Sequence, residues 1–184
     1  MKRLFVAVDL PDAIKVIAAQ AKTILESRVS GVRWVEPNNV HLTLKFLGNC
    51  PDEQIDQIIN ALDEAVAPLS SFACVSGGLG AFPSLRRARV LWLGIEAKPE
   101  LAELSKAVEG SLEGLGFQAE KRAFSPHITL ARLKSPRPVD LSVAESTINT
   151  KHGFAVGAVT LFASHLSPKG PTYEGLADVK LRGT

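Results

Sequence analysis

The sequence predicts an α+β fold: two duplicated β-α-β-α-β units whose two antiparallel sheets face a central cleft, with the helices on the outside. Two observations carry this expectation. The tetrapeptide His-x-Thr-Leu occurs twice, as His41-Leu42-Thr43-Leu44 and His127-Ile128-Thr129-Leu130, 86 residues apart. The elements around the copies also correspond. Leu4 lies 37 residues before His41 as Val90 lies 37 before His127, and the stripe Ile14, Ile17, Ala21, Leu25 recurs as Leu101, Leu104, Val108, Leu112 at a constant offset of 87. One domain of two pseudo-symmetric lobes follows, with units at about 3–82 and 89–181.

Taken in order, "LFVAVDL" is a compact apolar run that suits a buried strand. Pro11 and Asp12 then open an amphipathic helix that carries the first stripe. "HLTLKFLG" alternates as a strand and stops at Gly48, and "PDEQIDQIINALDEAV" has a proline and acids in its first turn and Ile55, Ile58, Ile59 and Leu62 along one side. "FACVSGGLGAF" is a glycine-broken strand that runs into the loop "PSLRRA". The second half repeats the series: "RVLWLGI" as a strand, a helix from Lys98 that stops near Gly114 or Gly116, and "HITLAR" as a strand. A short helix "VDLSVAEST" and two final strands, "FAVGAVTLFASHL" and "TYEGLADVKL", complete the chain.

Composition narrows the function classes. A formal net charge of +2 is too small for a nucleic-acid coat but allows a local basic site. Cys50 and Cys74 are the only cysteines, with no C-x-x-C spacing, which predicts neither a disulfide framework nor zinc and fits a reducing cytosol. The apolar run at the N-terminus ends at Asp9 and Pro11, too early for a signal peptide, and no run approaches the roughly 20 residues that span a bilayer. The expectation is a soluble, cytoplasmic monomer.

The paired motifs carry the chemistry. Side chains alternate along a strand, so His41 and Thr43 share one face while Leu42, Leu44 and Phe46 share the other, and His127 and Thr129 behave alike opposite Ile128 and Leu130. Four histidines and eight threonines would produce about 0.2 His-x-Thr matches by chance. An exposed histidine is also not what a strand needs in order to fold, because Val, Ile or Thr serves better. Two imidazoles across one cleft suit general acid–base catalysis: one takes a proton from the attacking oxygen and the other gives one to the leaving oxygen. Displacement at phosphorus places those groups in line on opposite sides. The threonine hydroxyls can donate to non-bridging oxygens, and Arg132 and Lys45 are the local cations.

On these residues the chain resembles the 2H phosphoesterase superfamily, defined by two H-x-[ST]-x motifs, and more closely its RNA 2′,3′-cyclic phosphodiesterase branch, the 2′-5′ RNA ligase family. The resemblance rests on "RLFVAVDLP", "HLTLKFLG", Phe82-Pro83, "RVLWLGI", "FSPHITLAR" and "SHLSPKGPTYEGL", in that order across nearly the whole chain. It implies a bilobal fold, no cofactor and no metal. It further implies hydrolysis of RNA 2′,3′-cyclic phosphate ends to a 2′-phosphate, with His41 as proton donor, His127 as proton acceptor, and Thr43, Thr129 and Arg132 on the phosphate. Reversible 2′-5′ RNA ligation through the same site, a silent nucleotide- or RNA-binding module, and small cyclic nucleotides as substrates are the alternatives. By strand parity Arg132 opposes His127, so its role calls for a bulge or a strand end. Lys45 falls on the histidine face, with Leu47 read as the counterpart of Arg132.

Other candidates carry less. His152 reads as an exposed loop residue and His165 as structural, and neither sits in a metal-ligand spacing. "SGGLGA" lacks the register of a dinucleotide site. Arg86, Arg87 and Arg89 form either a solvated loop or a patch that tracks RNA phosphates. Trp34 and Trp92 lie in strand-like runs that favour core packing, whereas Tyr173 is the aromatic best placed to stack a base.

Overall fold

The computed structural model describes residues 1–167 and 170–183. Pro168 and Lys169, within the closing segment "SHLSPKGPTYEGL", lie outside the described residues. The order is β1 (Lys2–Asp9), α1 (Asp12–Leu25), β2 (Val32–Trp34), β3 (His41–Cys50), α2 (Ile55–Val66), β4 (Phe72–Phe82), β5 (Ala88–Ile95), α3 (Pro99–Glu113), β6 (His127–Arg137), α4 (Ser142–Thr147), β7 (His152–Val156), β8 (Ala158–Ser167) and β9 (Gly170–Lys180).

All strand pairs are antiparallel, and the spatial order is β7-β4-β5-β6-β3-β1-β8-β9, with β2 added beside β6. The two expected sheets are therefore two half-sheets, β7-β4-β5-β6 and β3-β1-β8-β9. They are joined into one curled nine-stranded sheet by a single pair, Leu42 and Ile128. The third strand of each sequence unit crosses over: β4 pairs with β5, and β8 pairs with β1. "FAVGAVTLFASHL" is accordingly not one strand. It breaks at Gly157, where β7 edges one half-sheet and β8 enters the other.

The helices form because their apolar residues recur at helical spacing and have a sheet face to cover. Ile14, Ile17, Ala18, Ala21 and Leu25 of α1 are buried, as are Ile58, Leu62 and Val66 of α2 and Leu101, Leu104, Val108 and Leu112 of α3. Each large aliphatic side chain removed from water contributes about 1.5–3 kcal/mol. These stripes meet Leu42, Leu44, Ile128 and Leu130 in one core that runs across the seam. The opposite face of the sheet, which carries the histidines and threonines, stays open. In β4, Gly78 at φ +70° sits at the register break between Ser76 and Leu79. Gly80 lies under the Trp92 indole, where a Cβ would come within 2.2 Å of the ring. Trp34 and Trp92 are both half-buried, Trp34 packed against the core, and His152 begins β7 instead of lying in a loop.

Candidate active site

Both motifs begin a strand beside the seam. Leu42 and Ile128 are fully buried partners, so the residues flanking them point to the open face. One step along the ladder in either direction come His41 with Thr129, and Thr43 with His127. Each histidine thus stands near the other unit's threonine. Both rings are held alike: His41 Nδ1–H donates to the Asn39 carbonyl at 2.8 Å, and His127 Nδ1–H to the Ser125 carbonyl at 2.7 Å. A carbonyl can only accept, so Nδ1 carries the hydrogen and Nε2 is left to exchange a proton. Asn39 is itself fixed, its side-chain amide donating to the Pro171 carbonyl at 2.9 Å.

The expected bulge is present, and in both strands. Between the pairs Trp92–Thr129 and Leu91–Ala131, β6 holds one extra residue, Leu130; between Ala7–Thr43 and Val6–Lys45, β3 holds Leu44. Each insertion flips parity. Arg132 therefore shares the open face with His127 and Thr129. Lys45 does not share that face: it turns into the core, 5% exposed, and pairs with the Glu109 carboxylate while donating to the Gln118 carbonyl at 2.9 Å. Its place on the histidine face is taken by Phe46, which is 65% exposed and is the counterpart of Arg132 in place of Leu47. The same register pairs Phe5, not Leu4, with Val90, because each faces the fifth residue after its histidine.

His41, Thr43, Thr129, Arg132 and Tyr173 line one cavity of about 590 Å³, together with Arg3, Phe5, Arg33, Trp34, Phe46 and Leu166 among others. This lies within the usual range for small-ligand sites. Neither threonine hydroxyl has a hydrogen-bond partner among the described residues. His41 packs against Phe5 at 4.7 Å and meets Tyr173 edge-on at 5.2 Å. Burial lowers its pKa below the usual 6.5, the Asn39 carbonyl and Asp9 work against that shift, and Arg132 adds to it. Burial raises the Tyr173 pKa, partly offset by Arg132 and Arg3. His127 is not among the residues lining this cavity; it stands beside it, edge-on to Phe82 at 4.8 Å.

The remaining candidates lie elsewhere. His165 Nε2 is 2.9 Å from the Glu174 carboxylate on an exposed strand. Arg86, Arg87 and Arg89 are exposed outside the cavity. Among the described residues no three His, Cys, Asp or Glu side chains gather into a metal-ligating group, and no helix is long and apolar enough to cross a membrane. Sequence reasoning missed Arg3, Arg33, Asn39 and Phe46. Only Arg33, exposed in the alternating "VRW", left a readable signal.

Comparison with known proteins identifies the family and fold. A curated Archaeoglobus fulgidus protein, named RNA 2′,3′-cyclic phosphodiesterase, is 38% identical over 177 residues, covering 95% of this chain and 97% of its own. A Thermotoga maritima protein of the same name is 32% identical and covers 98% and 96%. A crystal structure of a Thermus thermophilus protein superposes with a TM-score of 0.82 at 30% identity, covering 98% of both chains. That of Escherichia coli LigT complexed with 3′-AMP gives 0.76 at 28%, again with 98% of both. The family model described as LigT like Phosphoesterase matches twice, over residues 8–92 and 93–173, one copy for each histidine motif. This duplicated chain belongs to the LigT-like phosphoesterase family.

Proposed function

We propose that this protein hydrolyses the 2′,3′-cyclic phosphate end of RNA to a 2′-phosphate, without metal, through its two histidines. The observation that carries the reading is the matched anchoring of both rings by Nδ1 to a backbone carbonyl, which leaves two Nε2 atoms free beside one seam. His127 Nε2 takes a proton from water, and the hydroxide oxygen bonds to phosphorus. The bond from phosphorus to O3′ breaks, and His41 Nε2–H gives its proton to O3′, leaving a 3′-hydroxyl. Thr43 and Thr129 hydroxyls donate to the non-bridging oxygens, and Arg132 balances the charge that builds there. Tyr173 closes the wall beside His41. The curated relatives named RNA 2′,3′-cyclic phosphodiesterase support this substrate class. On this reading the protein acts as a cytoplasmic monomer, and its site is assembled from repeated units at about 3–82 and 89–181 that have exchanged their third strands.

The test is turnover of a short RNA with a cyclic end in EDTA. The expected outcome is hydrolysis to the 2′-phosphate, lowered roughly 10²–10⁴-fold by His41→Ala and by His127→Ala. A requirement for added metal, or full activity in either variant, would overturn it. A 5′-hydroxyl RNA supplied in the same reaction reads out ligation as joined product.

A further inference from the structure

The reaction above uses one phosphate, yet the cavity holds more positive charge than one phosphate needs. Arg3, Arg33 and Arg132 all line it. Glu36 is the one carboxylate among the described lining residues, and Lys22 already engages it at 3.0 Å. Among the described residues none of the three arginines forms an ion pair or a side-chain hydrogen bond. Arg33 stands directly opposite Arg132 in the ladder between β2 and β6, so the two guanidinium groups share a face. Like charges in that relation destabilise a sheet unless an anion lies between them. Arg3 occupies the other wall, in a cross-strand row with Ser164 and Tyr173, on the same strand face as Phe5 beneath His41. Arg3 and Arg132 both act on the Tyr173 hydroxyl, partly offsetting the rise in its pKa that burial causes. The phosphate next to a cyclic RNA end is the 5′-phosphate of the terminal nucleotide, one per residue of strand.

We propose that Arg3 and Arg33 form a second phosphate site beside the reacting one, which holds the 5′-phosphate of the terminal nucleotide and so selects RNA strand ends over cyclic mononucleotides. The proposal rests on the cyclic phosphodiesterase reading for the identity of the first phosphate. It places the strand across this cavity and not along Arg86, Arg87 and Arg89, which are exposed outside it.

Direct binding separates the proposal from turnover. Affinities are measured at low salt for adenosine 2′-phosphate, adenosine 2′,5′-bisphosphate and a diadenosine dinucleotide ending in a 2′-phosphate. The 5′-phosphate is expected to tighten binding about tenfold, and the dinucleotide to bind at least as tightly as the bisphosphate. Arg3→Ala and Arg33→Ala each shrink the ratio of mono- to bisphosphate Kd, and the double variant brings it to about one. A lesion in folding would weaken all ligands together and leave the ratio intact. Added salt should weaken bisphosphate binding, and weaken it less once either arginine is removed. Equal affinity for the first two ligands overturns the proposal, as does a dinucleotide that binds no better than adenosine 2′-phosphate. So does a ratio that survives in the double variant or collapses instead in Arg86→Ala or Arg87→Ala. If cyclic-ended RNA were not hydrolysed, the proposed reaction would fall while these binding ratios could still be read.

Discussion

The two His-x-Thr strands share a frame and differ in what they display. Both start at a histidine tied by Nδ1 to a carbonyl two residues back, and both bulge at the residue directly after the threonine. After the bulge β6 presents Arg132 to the open face and buries Ala131, whereas β3 presents Phe46 and buries Lys45 against Glu109. The His41 side is lined with aromatics, Phe5, Phe162 and Tyr173, while among the described residues Phe82 is the one aromatic ring against His127. Duplication supplied equal proton-transfer groups. Divergence at the fifth residue then gave one half a cation and the other an aromatic surface, a division suited to a ligand with a phosphate and a base.

The sharpest way to break this comparison is at those fifth residues. Arg132→Ala should lower kcat/KM by about 10²–10³-fold, because it removes charge where the transition state builds it. Phe46→Ala should cost about fivefold, since it removes stacking surface and no charge. Equal losses in steady-state assays would show that the halves have not diverged in role.

Lys45 tests the bulge itself. Lys45→Met should lower unfolding stability by roughly 1–3 kcal/mol in urea melts, because Glu109 and the Gln118 carbonyl lose their partner. Per folded molecule, kcat/KM should stay within about twofold, as expected for a side chain on the core face. A catalytic loss like that of Arg132→Ala would put Lys45 back in the cleft.

The smallest effect is a titration. Because burial is the main cause, His41 should show an NMR midpoint below 6.5 in the free protein, and Arg132→Ala should move it up. The sign for stability follows. Well above pH 6.5 the ring is neutral in both states and silent. As pH falls from there toward the folded midpoint, the unfolded chain takes up the proton first and the folded state loses stability. An anionic 2′-phosphate ligand should raise the midpoint, readying His41 as a donor. A free-protein midpoint at or above 6.5 would contradict the burial.

Much of this was legible in the sequence, since strand and helix periods set which side chains share a face. The paired tetrapeptides, the helix stripes and even the need for a bulge before Arg132 follow from counting. What counting could not show was where the bulge falls. One extra residue moved Lys45 from cleft to core and put Phe46 in its place. Strand exchange was hidden too, because Gly157 breaks an apolar run that otherwise reads as continuous. Arg3 and Arg33 sit far apart in sequence, and only the pairing of β2 with β6 and of β1 with β8 brings them to one cavity.

The central claim is that the two histidines act as one unit, and a double-mutant comparison tests it most directly. The measurement is kcat for a cyclic-ended RNA with His41→Ala, His127→Ala and both together. Groups that serve one transition state are strongly non-additive, so the double variant should lose no more than about tenfold beyond the worse single variant. Losses that multiply, or a single variant with near-normal kcat, would contradict it.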